Sequence, residues 1–295
     1  MNTIKQLAAI GLALVIFTGC TRNAVTGRKQ LTLVSGQDMM ASSLTQYSEF
    51  LKTNKVVTNT SDAEMVKRVG ARISAAITQY YTAKGLGKVL DGYQWEYNLI
   101  DSKEVNAWCM PGGKIVVYTS LLPITQDEPT LAVVMGHEIA HAVAEHGRER
   151  VSEQLLTQTG SQVFSSLITS DPQKAQNIFK LANGLTTFGI TLPHSRKQEL
   201  EADKFGLLYC AMAGYDPRTA IPLWERMQKL SAGQAPPEFA STHPAESTRI
   251  DKLKEQMPEA LTYYEQAKAQ IDKAQTEKTQ AEKAKPTNGK MKRKQ

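Results

Sequence analysis

The sequence has few cysteines, no long apolar run and little net charge over most of its length. Three cysteines in 295 residues are too few for a fold built on disulfides. The longest apolar run near the N-terminus, from Leu7 to Phe17, is too short to cross a bilayer as a helix. Together with a mean hydropathy of −0.36, this excludes a membrane protein with many spanning helices.

The net charge of +6 is concentrated near the C-terminus. Residues 265–295 contain nine Lys/Arg and four Asp/Glu, so they carry +5 and the other residues carry +1. A nearly neutral body lacks the basic surface that binds nucleic acid, so we expect no nucleic-acid partner. We interpret 265–295 as a charged tail, helical or disordered. It is either inert or attracted to an anionic surface.

The N-terminus has the pattern of a targeting signal. Lys5 precedes the apolar run, which ends in Phe17-Thr18-Gly19-Cys20. This ending resembles the lipobox of bacterial lipoproteins, whose cysteine is lipidated. It predicts a signal peptide over 1–19, lipidation of Cys20, a tether over 20–36 and a location in the bacterial cell envelope, on the outer membrane and facing the periplasm. An ordinary signal peptide with a chance cysteine is the alternative.

Residues 37–264 are predicted to form one domain with a small sheet and many helices. The fold class expected is α+β and helix-dominant, with the sheet beside the helix over 130–145. Apolar periodicity and turn residues predict strands over 93–100, 105–110 and 115–118, and helices over 37–51, 62–81, 130–145, 151–168, 173–181, 196–212, 217–230 and from 246 onward.

The most informative motif is H-E-x-x-H at 137–141. His137 and His141 lie four residues apart, so on a helix they share a face and can bind one Zn²⁺. The carboxylate of Glu138 projects beside the metal, where it can take a proton from water and pass it to a leaving amine. Two surface histidines are the alternative, but a helix this apolar does not face solvent.

A catalytic zinc site needs a third protein ligand, and a later helix offers acidic residues. Glu199 and Asp203 are four residues apart and share a face, whereas Glu201 lies about 200° around the helix from Glu199. We assign Glu199 as the third ligand and Asp203 as the partner that fixes the tautomer of a ligand histidine, with His137 the expected one. Glu201 as the ligand is the alternative.

The remaining histidines are assigned less directly. We interpret His146 as a residue at the helix end that caps carbonyls or faces the helix dipole, and His194 as a loop or capping residue. His243 precedes Pro244. It is either a loop residue, or a site residue that donates to a developing oxyanion or blocks the open zinc position.

These motifs resemble peptidase family forty-eight, the HtpX-like and CAAX-prenyl-protease-like zinc metallopeptidases of the gluzincin type. The resemblance runs from about Val105 to Ile250. It includes, besides the two motifs above, Asn106-Ala107, Pro111-Gly112-Gly113, His243-Pro244 and Arg249-Ile250. It implies one Zn²⁺ per chain on His137, His141 and Glu199, with Glu138 as general base. It also implies that His243 and Arg249 lie at the active site and that Asn106 and Ala107 border the substrate cleft.

The resemblance further implies a zinc-dependent endopeptidase, similar to the lipid-anchored envelope members, that acts on unfolded or misassembled proteins in quality control. An extended substrate is expected to pair with the edge strand near Asn106. The alternative is a non-catalytic chaperone or assembly factor, against which the intact Glu138 argues. Cys109 and Cys210 are expected to be two free buried thiols, with a disulfide between them in an oxidising compartment as the alternative. No pattern in the sequence indicates an oligomeric state.

Overall fold

The computed structural model describes residues 19–167, 194–231, 238–243 and 247–283. The strands in these residues are β1 (Cys20–Arg22), β2 (Lys29–Leu31), β3 (Val56–Val57), β4 (Glu96–Ile100), β5 (Ala107–Met110) and β6 (Lys114–Tyr118). The helices are α1 (Gly36–Thr53), α2 (Ser61–Ala83), α3 (Leu122–Thr125), α4 (Glu128–Val143), α5 (His146–Leu167), α6 (Arg196–Met212), α7 (Ala220–Ser231), α8 (Glu238–Thr242) and α9 (Ser247–Lys283). The predicted α+β, helix-dominant class is confirmed.

The main sheet has four strands in the order β3-β4-β6-β5. β4 and β6 run parallel, while β3 and β5 are antiparallel to their neighbours. β6 is buried along its whole length, and β5 lies at the edge of the sheet against α4. The small sheet therefore lies beside the H-E-x-x-H helix, as predicted, and presents one strand edge on that side.

Helix α4 is the centre of the hydrophobic core. All its residues from Thr130 to Val143 are buried, because β5, α2 and α6 pack around it. It begins where the Asp127 side chain accepts a hydrogen bond from the Thr130 backbone N–H at 2.9 Å, with Pro129 in the first turn. It ends at a turn in which Glu145 adopts a left-handed φ of 55°. The polar groups of the H-E-x-x-H motif are thus held inside an apolar helix.

Helices α4 and α6 cross at backbone contact distance. A Cβ atom added at Gly136 would lie 2.7 Å from the Gly206 carbonyl oxygen, and one added at Gly206 would lie 2.6 Å from the His137 backbone nitrogen. Neither helix tolerates a side chain at the crossing without moving the other. The two glycines therefore fix the distance between the motif histidines and the acidic residues of α6.

The segment predicted as a tether differs in the structure. β1 and β2 form an antiparallel hairpin that packs on the domain. Asn23 and Gln30 both donate to the Ala144 carbonyl oxygen, at 3.0 and 2.9 Å, and the Leu33 backbone N–H donates to the Ser152 hydroxyl at 3.0 Å. These bonds satisfy carbonyls and hydroxyls at the end of α4 and the start of α5. Residues 20–34 are therefore part of the folded body.

The C-terminal half also differs from the predicted boundaries. α9 continues without a break through 264–265, so the predicted start of a separate tail falls inside one helix. Its Ile271 side chain packs against Gly214, which places the first turns after 265 on the domain. The loop predicted over 231–246 contains the short helix α8. The helix predicted over 173–181, the segment 1–18 and residues 284–295 lie outside the described residues.

Within the ranges that the structure describes, no helix combines the length and the apolar character needed to cross a bilayer.

Candidate active site

The structure brings together four side chains that share one buried point. His137 Nε2 lies 3.0 Å from His141 Nε2, and Glu199 Oε1 lies 3.2 Å from His141 Nε2. His243 joins them, with its Nδ1 atom 3.0 Å from Glu199 Oε1 and 3.2 Å from His137 Nε2. One donor atom from each of these residues lies within 4.8 Å of all the others. Two helices and the end of α8 thus supply three imidazoles and one carboxylate.

This donor set fits a zinc ion. Several ring nitrogens whose lone pairs converge repel one another unless a cation lies between them, and buried imidazole and carboxylate ligands are those that Zn²⁺ prefers. The electrostatics favour positive charge at the same point. Burial lowers the pKa of His137, but Glu199 and Asp203 outweigh it and raise that pKa to about 9. Burial lowers the pKa of His141 far below its ordinary value, which keeps it neutral, as a ligand must be.

Asp203 and Arg249 contact two side chains of the cluster, His137 and Glu199, and hold them in place. Asp203 Oδ1 lies 3.1 Å from His137 Nδ1, as the sequence predicts for the carboxylate that orients this ring. Arg249 donates from Nε and Nη2 to Asp203, each at 2.7 Å, and its Nη1 lies 2.7 Å from Glu199 Oε2. Its guanidinium also stacks on Trp224 at 3.8 Å from the ring centre. Burial would raise the pKa of both carboxyls, but Arg249 outweighs it and lowers them.

Glu138 lies beside the cluster without joining it. Its Oε1 atom is buried and forms no hydrogen bond within the described residues, and the nearest histidine nitrogen, His243 Nε2, is 3.6 Å away. Burial raises the pKa of Glu138 above its ordinary value, while His243 and His137 oppose that shift. A carboxylate oxygen with no partner and a raised pKa is suited to accept a proton from a reactant.

A small cavity of about 60 Å³ adjoins the cluster. Glu138 and His141 face it, β5 and Asn106 form one wall, and Met39 and Ser43 of α1 form another. Among the described strands none pairs with the outer edge of β5, so this edge is where a further strand can add.

Asn106 and Ala107 lie on this wall at the start of β5. Both are buried, and the Asn106 side-chain oxygen accepts from the Ala107 backbone N–H at 2.8 Å. Pro244, which follows His243, lies outside the described residues. Glu201, the alternative ligand, does not reach the cluster. It pairs instead with His146 and Arg28, because it projects from the other face of α6.

Sequence reasoning missed two histidines of the site. His146 begins α5, but its side chain contacts His141 instead of capping carbonyls, with Nδ1 2.8 Å from His141 Nδ1. His194 is buried, with its ring 3.8 Å from that of His141 and stacked on His243 at 4.5 Å. The left-handed turn at Glu145 folds His146 back onto α4, and the sequence carries no clear signal for such a turn at a glutamate.

The thiols of Cys109 and Cys210 are free, as expected. Cys210 is buried, and Cys109 on β5 is only partly buried. Burial raises the pKa of both thiols above the ordinary value. Neither is therefore a reactive thiolate at neutral pH.

Comparison with known proteins supports one family. The model of peptidase family M48 matches residues 38–257 of the chain. The mitochondrial metalloendopeptidase OMA1 of Arabidopsis thaliana is 38% identical over 182 residues, covering 61% of this chain and 36% of that protein. OMA1 of Homo sapiens is 29% identical, covering 86% of this chain and 49% of that protein. The beta-barrel assembly-enhancing protease of Escherichia coli strain K12 is 27% identical, covering 59% and 37%.

The chain thus spans about half or less of the length of these relatives. The matched residues include the buried His/Glu cluster and the helices that position it. Because the family model covers most of the chain, this protein belongs to peptidase family M48.

Proposed function

We propose that this chain is a zinc-dependent endopeptidase of the bacterial cell envelope that hydrolyses peptide bonds in unfolded or misassembled proteins. The observation that carries the proposal is the buried Glu138 carboxylate oxygen, which forms no hydrogen bond within the described residues and lies beside a metal-binding cluster. A site that used metal only to hold the fold has no need of a buried, unpaired base. The named activity of the relatives, metalloendopeptidase and protease, supports the same assignment.

In this proposal His137, His141 and Glu199 hold the zinc ion. When bound, zinc supplies Lewis-acid chemistry that polarises a scissile carbonyl and makes water nucleophilic at neutral pH. Glu138 accepts a proton from the attacking water as the water oxygen bonds to the carbonyl carbon. Glu138 then donates that proton to the amide nitrogen as the carbon–nitrogen bond breaks. Asp203 holds His137 in the tautomer whose Nε2 faces the cluster, and Arg249 balances the charge of both carboxylates.

The edge of β5 accounts for the proposed substrate class. An extended polypeptide can add to this strand through main-chain hydrogen bonds that do not depend on side-chain identity. A folded protein offers few such segments, so unfolded or misassembled proteins are the substrates that fit. In this proposal His243 or α1 moves as a substrate enters the small cavity beside the cluster. His243 lies next to the ligand atoms and in this arrangement blocks a position that water or substrate needs.

Zinc removal tests the activity. We expect the full chain, loaded with one equivalent of zinc, to cleave a permanently unfolded test protein and to spare the same protein when folded. Chelation should abolish cleavage, and added zinc should restore it, as followed by gel electrophoresis and mass spectrometry of the fragments. A chaperone or assembly factor is the competing function. Zinc binding and suppression of aggregation without any fragment would favour it and contradict the peptidase proposal.

The envelope location is proposed from Cys20. The residues before it resemble a lipobox, and Cys20 begins β1, partly exposed, at the start of the described chain. Two or more acyl chains on this residue would anchor the hairpin side of the domain to a membrane. The Escherichia coli relative is named a beta-barrel assembly-enhancing protease, which supports a role for this chain in the assembly of other proteins.

Replacement of Cys20 tests the anchor. In a bacterial host we expect Cys20→Ser to lose labelling by a radioactive fatty acid and to move from the membrane to the soluble fraction. Cys109→Ser is the matched control, because it removes a cysteine that the proposal does not lipidate, and it should leave both readouts unchanged. Wild-type protein that carries no fatty acid would refute the anchor.

A further inference from the structure

The two histidines of H-E-x-x-H are supported by different partners. Both direct Nε2 toward the cluster, so the Nδ1 atom of each ring faces away from it. For His137, Nδ1 faces the carboxylate of Asp203. For His141, Nδ1 lies 2.8 Å from Nδ1 of His146, a second imidazole and not a carboxylate. The second ring therefore needs a partner that fixes its own proton.

The hydrogen bonds from His141 to His146 and from His146 to Glu201 indicate which nitrogen of each ring carries the proton. If His141 offers the Nε2 lone pair to a metal, its proton is on Nδ1 and is donated to His146 Nδ1. The proton of His146 is then on Nε2, which lies 3.0 Å from Glu201 Oε2. Glu201 accepts at its other oxygen from Arg28 Nε, at 2.7 Å. Each donor meets one acceptor, so the chain of bonds supports a single tautomer of His141.

These hydrogen bonds are largely shielded from solvent. His146 is completely buried, and the side chains of Glu201 and Arg28 are mostly buried. Arg28 also pairs with Glu149, whose carboxylate accepts from Gln198 at 2.8 Å. In this series of hydrogen bonds every donor points in the same direction, and the last acceptor, Glu201, is paired with Arg28. The buried His146 imidazole therefore has a defined orientation.

Each histidine of the motif is linked to a carboxylate that is paired with an arginine. On one side a carboxylate, Asp203, is held by Arg249 and contacts His137 directly. On the other side a carboxylate, Glu201, is held by Arg28 and contacts His141 through His146. The inserted imidazole spans the extra distance, because Glu201 projects from a different face of α6.

We propose that His146, Glu201 and Arg28 position His141 as a metal ligand by fixing its tautomer and ring orientation. This inference rests on the proposed assignment of His141 as a zinc ligand. His146, Glu201 and Arg28 are positioning residues, because none contacts substrate or metal. The acceptor atom of His146, and not its bulk, is the group that His141 requires.

Two substitutions at residue 146 separate these roles. His146→Leu replaces the imidazole with an apolar side chain and leaves the His141 Nδ1 proton without an acceptor. His146→Asn places an amide oxygen on Cγ, where the ring nitrogen stood, and can accept that proton. We expect the zinc affinity of the full chain, measured against a competing chelator, to fall about 10- to 100-fold in His146→Leu. His146→Asn should recover most of that loss. The cobalt-substituted chain should show a changed visible absorption spectrum in His146→Leu only.

A substitution at Glu201 provides a second test, and one at Glu225 provides the control. Glu201→Gln, which retains an acceptor but removes the charge, should lower zinc affinity less than His146→Leu does. Glu225→Gln, an exposed carboxylate on α7, is the control and should have no effect. Urea unfolding of each metal-free variant shows whether it folds, and Glu201→Gln carries the test if His146→Leu does not. Equal losses in the Leu and Asn variants, or none in either, would overturn the proposal.

Measurements of zinc affinity test the positioning role independently of the peptidase function. A wild-type chain that binds zinc but cleaves nothing contradicts the peptidase and leaves the affinity ratios of the variants fully interpretable. A chain that cleaves peptides but has identical zinc affinity in all variants contradicts the positioning role alone.

Discussion

Glu138→Gln should bind zinc within a few-fold of the wild type and should lose peptide hydrolysis by about 10²- to 10⁴-fold, the usual contribution of a general base. The reason is that Glu138 lies outside the donor cluster, while in the proposed mechanism its Oε1 atom, which forms no hydrogen bond within the described residues, takes the proton from water. An amide of the same size cannot accept and return a proton. The measurement is kcat/KM on an unfolded protein or a quenched peptide, together with zinc titration of the same preparation.

A second substitution on the same helix is the control. Glu128 begins α4, is partly exposed and pairs with Arg68, far from the cluster. Glu128→Gln should keep hydrolysis within a few-fold of the wild type. If Glu138→Gln cleaves as fast as Glu128→Gln, the general base is another group and the role proposed for Glu138 is wrong.

Arg249→Met should lower the free energy of unfolding of the metal-free chain by about 3–5 kcal/mol. Arg249 is the guanidinium partner of two buried carboxylates, Asp203 and Glu199, and its loss leaves both in an apolar interior. Methionine retains a long side chain that can still pack on Trp224. The effect therefore measures the uncompensated charge more than the lost contact. Urea unfolding followed by circular dichroism gives the difference.

Arg72→Met is the matched control for this prediction. Arg72 also stacks on an aromatic ring, that of Tyr215, at 4.1 Å, and lies near a carboxylate, but its side chain is 38% exposed. Its replacement should cost about 1 kcal/mol or less, because water can solvate the groups it leaves. Equal losses in the two variants would show that burial of the Asp203 and Glu199 charges is not what makes Arg249 necessary.

Local periodicity predicted much of the fold. The bounds of α6, Arg196–Met212, match the prediction, and the structure shows that Ser195 and Gln198 form a capping box at its start. The hairpin of β1 and β2 was missed, because its residues are polar and its support comes from groups far along the chain, such as the Ala144 carbonyl and the Ser152 hydroxyl. The end of the domain was placed inside α9, since a charged surface alone does not end a helix.

The site residues also fall into those that helical spacing predicted and those that it missed. The i, i+4 spacing on α4 and α6 was sufficient to place His137, His141, Glu199 and Asp203 together. It was not sufficient for His146, because that residue reaches His141 through a left-handed turn and not through helical spacing. Nor does any local pattern link Arg28 to Glu201, which lies 173 residues away.

That separation affects the order in which the chain folds. Helix α4 is local and can form early, but Arg28 must find Glu201 across 173 residues, and Arg249 must find Asp203 across 46. Closing loops of these lengths is entropically unfavourable until the contacts within them exist, so we expect both pairs to form late. During synthesis, a ribosome-bound chain that has not yet reached residue 249 carries H-E-x-x-H without its charge balance. We therefore expect the buried His/Glu cluster to gain its charge balance, and with it any proposed hydrolytic function, only after residue 249 has emerged from the ribosome.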